Sequence, residues 1–460
     1  MTKKILAFIA IFISLTLSCG KPATIPVDDP EEQQEEQKDP GKEGEEGKED
    51  EGGEQGQEGQ QGQGDEGGEE QGGDTPEPVV IPTDTIDVNI ENVWAKEYMD
   101  YVYKHPYTTD DFTRTSITRY YTNAKSAGGR GDCPAGAVIE WGAADDEVSY
   151  FTVTISENAD MSSPVQTVNL SSMTQKFTVT NMIPSRNYYC TVSAVLSDLS
   201  SSEVYKALIR PTGRRRMINV ESIGNVRDLG GLCTEDGKHI KYGLIYRGSR
   251  MSAQGMEINS TDKAELLRIG IRADLDLRQN DKEKLGSDVY TYRRSPLGSD
   301  VDWKLFPAAN ESYFKKLFTN DEYIKALQWL IDELKAGKPV YFHCKTGADR
   351  TGTLAFLIES LLDITEVDKS IDFELTSFFY DFGDPKSFAY RSRNIESTID
   401  IAGKDSYDWG GMYNVIKNGC TGSTYQQKVY NYFNKGIGKS GYKTTISSAD
   451  LDWFISYMLE

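Results

Sequence analysis

Apolar and polar residues alternate with a period of two through the middle of the chain, from about residue 112 to residue 213. Short alternating runs lie at 138–141, 150–155, 167–170, 176–179 and 188–195. The segments between them are rich in Asp, Asn, Ser and Pro and recur about every ten residues, which is typical of a β-sandwich. We therefore predict a β-sandwich domain at 112–213.

After residue 214 the pattern changes to helices that precede short apolar strands. Amphipathic helical patterns at 260–269 and 321–336 precede apolar runs at 272–277 and 339–343, and further helical patterns follow at 351–362, 367–378, 424–435 and 448–459. This alternation is typical of a mostly parallel sheet covered by helices. The sequence therefore predicts a multidomain chain, in which an α/β domain with a mostly parallel central sheet flanked by helices occupies 214–460.

One helical pattern precedes the sandwich, at 88–111. Its apolar side chains Trp94, Tyr98, Val102 and Tyr103 share one face. We predict a short helix that packs on the domain that follows it, as part of a hydrophobic core.

Residues 20–87 are dominated by Glu, Gln, Gly and Asp, and they carry most of the net charge of −22. A segment with so few apolar residues cannot bury a core, so we predict a disordered acidic linker. The only compact basic cluster, Arg214-Arg215-Arg216, is interpreted as a solvated linker between domains. Because the sequence offers no extended basic face, we expect no nucleic acid partner.

The N-terminus has the pattern of an export signal. Lys3 and Lys4 precede an apolar run at 5–17, which is too short to span a membrane. The run ends in Leu17-Ser18-Cys19-Gly20, which resembles a bacterial lipoprotein cleavage box and implies a signal peptide at 1–19 with lipidation at Cys19. The acidic linker resembles that of surface lipoproteins of Bacteroidetes. The resemblance implies an exported chain, lipid-anchored at the outer membrane or surface of a Gram-negative bacterium; an ordinary secretory signal is the alternative.

The segment 340–353 places a cysteine and an arginine in one loop between a strand and a helix. Cys344 follows the apolar strand, and Arg350 lies six residues later at the start of the helix. The helix N-terminus and the loop N–H groups favour a thiolate and also bind phosphoryl oxygens. Arg350 can bind two such oxygens, and Thr351 can hydrogen-bond the sulfur. The phosphate-binding residues predicted in this loop are Lys345, Thr346, Gly347, Ala348 and Thr351.

This His-Cys-x5-Arg-Thr segment resembles the signature of the protein tyrosine phosphatase superfamily. The segments 224–231 (GNVRDLGG), 242–249, 274–278 and 371–376 resemble the bacterial tyrosine and dual-specificity phosphatases in the same order. The resemblance implies attack of Cys344 on a phosphomonoester, a phosphocysteine intermediate, and neither cofactor nor metal. In this family His343 orients the loop through hydrogen bonds.

The predicted β-sandwich resembles a different family from the α/β domain. Trp141 and the segment 182–189 (MIPSRNYY) resemble a fibronectin type III module, which implies a spacer or docking role. An exported chain permits a disulfide between Cys133 and Cys190, and two buried thiols are the alternative.

The general acid is less clearly marked than the nucleophile. Many members of the superfamily use an Asp in a Trp-Pro-Asp segment, which this chain lacks. Asp349 takes the position of a loop Asp in the bacterial group, and it is our first candidate for the catalytic acid. Asp302 and Asp300 are the alternatives. Asp276 and Asp228 are expected to be structural.

Three functions are compatible with these residues. The first is a phosphatase acting on phosphorylated proteins, peptides or small phosphomonoesters, with phosphotyrosine as the default substrate. The second is an inositol phosphate or phosphoinositide phosphatase, for which Lys345 supplies one charge but Ala348 stands where relatives often carry Lys. The third is a surface lipoprotein with a vestigial site, against which the intact Cys344, Arg350 and Thr351 argue.

Overall fold

The computed structural model describes residues 84–104, 133–142, 147–253, 256–278, 294–308, 321–378, 416–436 and 444–460. The predicted signal peptide, Cys19 and the acidic linker up to residue 83 lie outside these ranges. All described residues belong to one compact unit. Within them, no helix combines the length and the apolar character that crossing a lipid bilayer requires.

Two sheets form the first part of the described chain. Its strands are β1 (Asp84–Asn89), β2 (Ala137–Glu140), β3 (Val148–Ser156), β4 (Pro164–Ser171), β5 (Lys176–Val179), β6 (Tyr188–Leu196) and β7 (Ser201–Thr212). The larger sheet has the order β1-β7-β6-β3-β4, and the smaller sheet pairs β2 with β5. Alternate residues of β3 face a core shared with Ile139 of the smaller sheet. The five predicted strands are present, and Cys133 and Cys190 are both buried.

Two strands of the larger sheet were not predicted. β1 pairs in parallel with β7, from Asp84 opposite Ala207 to Asn89 opposite Thr212. The prediction of a disordered linker to residue 87 is therefore wrong for residues 84–87. Only Ile86 and Val88 of this strand pack against the core, and two alternating apolar residues beside a long acidic segment are too weak a signal.

A helix follows β1 directly. Helix α1 (Val93–Lys104) lies within the predicted 88–111 segment, and Asn92 caps it by accepting hydrogen bonds from the N–H groups of residues 94 and 95. Its buried residues belong to the core of the α/β part, where Tyr98 lies 6.0 Å from Phe378 between ring centroids. The helix is confirmed, but it packs on the later α/β part and not on the sandwich.

The basic cluster at 214–216 is not a solvated linker. Arg215 and Arg216 are each 3% exposed. Arg215 Nη2 lies 3.2 Å from Asp368 Oδ1, and Arg216 Nη1 lies 2.9 Å from Asp228 Oδ2. Buried guanidinium groups persist where carboxylates neutralise them. The ion pairs therefore fix the cluster to the α/β part, and Arg216 Nη2 also donates to the carbonyl of Asn181 in the sandwich at 2.7 Å.

A five-stranded sheet forms the centre of the α/β part. Its strands are β8 (Arg227–Asp228), β9 (Ile245–Gly248), β12 (Ala273–Asp276), β13 (Asp302–Leu305) and β14 (Val340–His343), in the order β13-β12-β14-β9-β8. The first four in this order are parallel and β8 is antiparallel. A separate two-residue hairpin pairs β10 (Ser252–Ala253) with β11 (Met256–Glu257). The mostly parallel sheet is confirmed, although only β12 and β14 were predicted.

Helices cover both faces of this sheet. They are α2 (Ser260–Arg268), α3 (Glu322–Lys335), α4 (Asp349–Leu361), α5 (Glu366–Leu375), α6 (Tyr425–Lys435) and α7 (Ser448–Met458). Leu266 of α2 belongs to the smaller core on one face, and α3, α4 and α5 build the larger core on the other. Because β14 ends at His343 and α4 begins at Asp349, the loop 344–348 lies at the carboxyl edge of the sheet.

Candidate active site

The loop between β14 and α4 has the backbone of an anion site. Gly347 has a φ of 69°, and a Cβ atom there would collide with the carbonyl of Gly248. Ala348 is the N-cap of α4 and makes no side-chain hydrogen bond to the helix N–H groups. The first N–H groups of a helix have no partner within it and attract anions. A phosphoryl group fits this position.

Cys344 lies at the base of the loop and is 2% exposed. Burial alone would raise the pKa of its thiol. The charge of Arg350, the hydroxyl of Thr351 and the backbone N–H groups of Thr351 and Thr346 outweigh burial and lower the pKa to about 6. Cys344 is therefore mostly thiolate at neutral pH, which is the nucleophilic form.

Arg350 extends from the first turn of α4 toward the end of β12. Its Nη1 is 3.5 Å from the carbonyl oxygen of Leu277, and its buried Nε makes no hydrogen bond within the described residues. A buried guanidinium with unused N–H groups can bind two oxygens of a phosphoryl group. The loop therefore combines a thiolate with a clamp for the group that it would attack.

The structure brings Asp349, but neither Asp302 nor Asp300, to this loop. Asp349 is the first residue of α4, partly exposed and adjacent to Arg350. Asp302 begins β13 opposite Ala273, at the amino edge of the sheet. The strand has four residues, so the two edges are three steps of ~3.3 Å, or about 10 Å, apart.

Asp302 also has a partner that keeps it ionised. Its ion pair with Lys338 lowers the pKa of its carboxyl group. Asp300 is exposed and accepts a hydrogen bond from Ser299 Oγ at 3.2 Å. Parallel strands all begin at one edge of the sheet and end at the other. Asp302 and Asp300 thus lie at the amino edge, whereas the Cys344 loop lies at the carboxyl edge.

A polar network behind the loop was not predicted. Asn225 Nδ2 donates to the carbonyl of Thr346 at 3.0 Å, and Arg247 Nη2 donates to the carbonyl of Gly347 at 2.9 Å. These two contacts bind the carbonyl side of the loop peptides, which leaves the opposite N–H groups for an anion. Asn225 and Arg247 lie in segments whose sequences resemble the bacterial phosphatases. Their contacts with the loop, however, depend on β9 lying beside β14.

Buried carboxylates complete this network. Asp372 binds both Arg227, at 2.7 Å, and Arg247. Although burial opposes it, these two guanidinium groups lower the pKa of Asp372. Burial and the charge of Asp372 raise the pKa of Glu359 well above its ordinary value. The ion pairs of Asp372 hold the two arginines in fixed positions.

Asp228 and Asp276 are paired with arginines, as expected. Asp228 binds Arg216, and Asp276 accepts hydrogen bonds from Arg278 Nε and Nη2 at 2.9 and 2.6 Å. Lys345 is exposed at the rim of the loop, and its carbonyl accepts from the N–H of Arg250 at 3.2 Å. His343 Nδ1 lies 3.1 Å from the carbonyl oxygen of Cys344, in the position required to orient the loop.

Comparisons with known proteins cover the part of the chain around this loop. Residues 218–418 match the tyrosine phosphatase family. A protein of Cupriavidus necator named as a tyrosine-protein phosphatase is 23% identical over 169 residues, which are 34% of this chain and 60% of that protein. The chain thus spans about 60% of the length of this relative.

Two solved structures show a weaker likeness. TpbA of P. aeruginosa is 19% identical, with a TM-score of 0.18 over 27% of this chain and 63% of that chain. The core catalytic domain of the PP-IP phosphatase SIW14 of S. cerevisiae is 17% identical, with a TM-score of 0.24 over 42% of this chain and 100% of that chain. TM-scores this low carry no weight for the function. The family match and the geometry of the Cys344 loop agree, and residues 218–418 are similar to the tyrosine phosphatase family.

Proposed function

We propose that this chain hydrolyses phosphomonoesters through a phosphocysteine intermediate, with phosphotyrosine in proteins or peptides as the default substrate. The observation that carries the proposal is the pairing of a buried Cys344, whose pKa is about 6, with the unused N–H groups of Arg350 in one loop. A thiolate beside a phosphate clamp is the arrangement that nucleophilic phosphoryl transfer requires.

The first step is attack of Cys344 Sγ on phosphorus. The S–P bond forms as the P–O bond to the leaving group breaks, and the loop N–H groups and Arg350 stabilise the phosphoryl oxygens. Asp349 gives its proton to the leaving oxygen. Asp349 then takes a proton from the water that breaks the S–P bond, which releases phosphate and restores the thiolate.

The charges at the rim favour a substrate with one phosphoryl group. Lys345 is exposed, but Ala348 contributes no charge to the loop. A polyphosphorylated inositol needs several cationic partners, because each added phosphate must be neutralised when it leaves water. An inositol phosphate or phosphoinositide substrate is therefore our second candidate.

We also propose that the chain is exported and lipid-anchored through Cys19. The support is the sequence alone, namely the basic Lys3 and Lys4, the apolar run at 5–17 and the cleavage box around Cys19. Labelled palmitate should be incorporated by the full-length chain in a Gram-negative host and lost in Cys19→Ala. Incorporation that persists in Cys19→Ala would contradict the anchor.

The catalytic proposal is tested with the full-length chain and three substrates: p-nitrophenyl phosphate, phosphotyrosine peptides and inositol phosphates. Cys344→Ser should abolish turnover of the preferred substrate. Cys233→Ser is the matched control, because Cys233 is a partly exposed thiol on the loop between β8 and β9. Turnover that survives Cys344→Ser would overturn the mechanism. Faster turnover of inositol phosphates than of phosphotyrosine would favour the second substrate class.

A further inference from the structure

Asp274 is a fully buried carboxylate on β12, two residues before Asp276 on the same face of the strand. Its Oδ1 lies 3.1 Å from His343 Nε2. Neither of its oxygens has another hydrogen-bond donor within the described residues. A buried carboxylate is costly unless a cation or donors compensate it. His343 is the group placed to do so.

The other nitrogen of His343 also faces an acceptor. Nδ1 lies 3.1 Å from the carbonyl oxygen of Cys344 and 4.0 Å from Asp276 Oδ1. A carbonyl oxygen can only accept, and an ionised carboxylate can only accept. With Asp274 ionised, both ring nitrogens carry hydrogen, and an imidazole with two N–H groups is the imidazolium cation.

The charges around His343 are consistent with this cation. Burial lowers the pKa of His343, but Asp276 and Asp274 together raise it above the ordinary value. Asp276 is already paired with Arg278, and the Cys344 thiolate is paired with Arg350. Asp274 is left as the carboxyl group nearest to His343, at 3.1 Å from Nε2.

Among the neighbouring groups, the charge of Arg278 opposes the cation by lowering the pKa of His343. From β14, Tyr341 lies 5.7 Å from His343 between ring centroids, and burial with the charges of Asp274 and Cys344 raises the pKa of Tyr341 well above its ordinary value. Its hydroxyl donates to the carbonyl of Ser249. From β13, Trp303 and Leu305 are the register partners of Asp274 and Asp276, and neither side chain titrates.

We infer that Asp274 is a positioning residue of the phosphatase site: it keeps His343 an imidazolium, whose charge and Nδ1–H hold the Cys344 backbone and favour the thiolate. The inference rests on the proposed function only in taking Cys344 as the nucleophile. Asp274 itself does not touch the reacting sulfur. It acts through His343, and its effect is on the fraction of Cys344 that is thiolate.

The test measures Cys344 alkylation by iodoacetamide as a function of pH, in the full-length chain without substrate. Cys344→Ser supplies the background from the other cysteines. The midpoint of the wild-type profile is expected near pH 6. Asp274→Asn should move it upward by about one pH unit or more, which is about tenfold lower reactivity below the midpoint. At pH 9 the two proteins should react equally, and Asp274→Glu should restore part of the shift.

Asp262→Asn is the matched control, because Asp262 is also a buried carboxylate, on α2, and accepts hydrogen bonds from Glu221 and Ser222. It should lower the melting temperature without moving the alkylation midpoint. An Asp274→Asn variant that melts lower but keeps the wild-type midpoint would reduce Asp274 to a structural residue.

A measurement on the unaltered protein covers the case in which Asp274→Asn does not fold. The chain has three histidines, and ¹⁵N NMR distinguishes an imidazolium from a neutral imidazole. His343 should have both nitrogens protonated at pH 7, and a neutral ring there would overturn the inference. If Asp274→Asn shifts the alkylation midpoint but the chain hydrolyses no phosphoester, the inference about Asp274 holds and the proposed function is wrong.

Discussion

Arg247 Nη2 donates a hydrogen bond to the carbonyl oxygen of Gly347 at 2.9 Å. Arg247 lies on β9, whereas Gly347 lies in the loop that follows the adjacent strand β14. The contact fixes the direction of one loop peptide, and the ion pair with Asp372 fixes the guanidinium. The position of the phosphate-binding N–H groups thus depends on a neighbouring strand.

Replacement of Arg247 by Met should lower both stability and turnover. Removal of one member of a buried ion pair costs about 3–5 kcal/mol of unfolding free energy, because the other member stays buried. Arg247→Lys should retain more stability but still lose activity, since a single ammonium cannot bind Asp372 and Gly347 as a fork does. Urea unfolding and kcat/KM measure the two effects. Arg186→Met, in an exposed pair with Glu157, should cost about 0–1 kcal/mol and no activity.

Gly347→Ala should inactivate the site. The positive φ and the adjacent carbonyl of Gly248 leave no room for a Cβ atom, so the loop must move. A displacement of about 1 Å can cost about 10²-fold in rate. Gly237→Ala is the control, because Gly237 also has a positive φ, of 86°, but nothing within 4 Å of its added Cβ. Equal activity of the two variants would contradict this account of the loop.

The rate should rise with pH through about 6 on the acid side. The pKa of Cys344 is lowered, so the thiolate is lost as pH falls through about 6 and is fully formed well above that value. The acid limb of kcat/KM should therefore bend near pH 6 for a substrate whose own phosphate ionisation has been accounted for. A limb that bends near pH 8–9, the range of an ordinary thiol, would show that the loop does not stabilise the thiolate.

Asp349→Asn should slow the hydrolysis of esters with poor leaving groups more than that of esters with good ones. A general acid contributes about 10²–10⁴-fold when the leaving oxygen needs a proton. Phenyl phosphate should therefore lose far more rate than p-nitrophenyl phosphate. Asp302→Asn is the paired variant, and its rates should match the wild type, because Asp302 lies at the opposite edge of the sheet. A leaving-group effect in Asp302→Asn alone would reverse the assignment.

Asn181→Ala should destabilise the join between the sandwich and the α/β part. Asn181 has a φ of 59°, accepts from Asn219 N–H at 2.5 Å and donates to Glu265 at 2.6 Å. Each buried hydrogen bond left without a partner costs about 1–3 kcal/mol. The unfolding midpoint should fall, as measured by calorimetry. Asn158→Ala, in an exposed turn of the sandwich, should change it little.

The sequence predicted the site where neighbours in the chain are neighbours in space. The strand, Cys344, Arg350 and the first turn of the following helix lie within 14 residues, so one pattern contains the nucleophile and the clamp. Asn225 and Arg247 lie 121 and 100 residues from the loop carbonyls they bind. Their role depends on β9 pairing with β14, and β9 has only four residues, too few for a periodic signal.

The sequence interpretation of the charged cluster at the domain junction was wrong. Three consecutive arginines are usually solvated, but Arg215 binds Asp368 and Arg216 binds Asp228. Asp368 is 153 residues away, so its pairing cannot be inferred locally. The same limit applies to Asp302, since which edge of a sheet holds a residue follows from strand direction and order, and β13 was not predicted.

The parallel pairing of β1 with β7 has a mechanical consequence. The chain enters β1 at Asp84 and leaves β7 at Thr212 toward the α/β part, and the two strands point the same way. A force pulling back on the segment before Asp84, resisted beyond Thr212, acts along the strands and loads all the paired positions from Asp84 to Asn89 in shear. Hydrogen bonds that are loaded together withstand a larger force than bonds that break one after another. The β1–β7 pair therefore resists separation under tension along the strands.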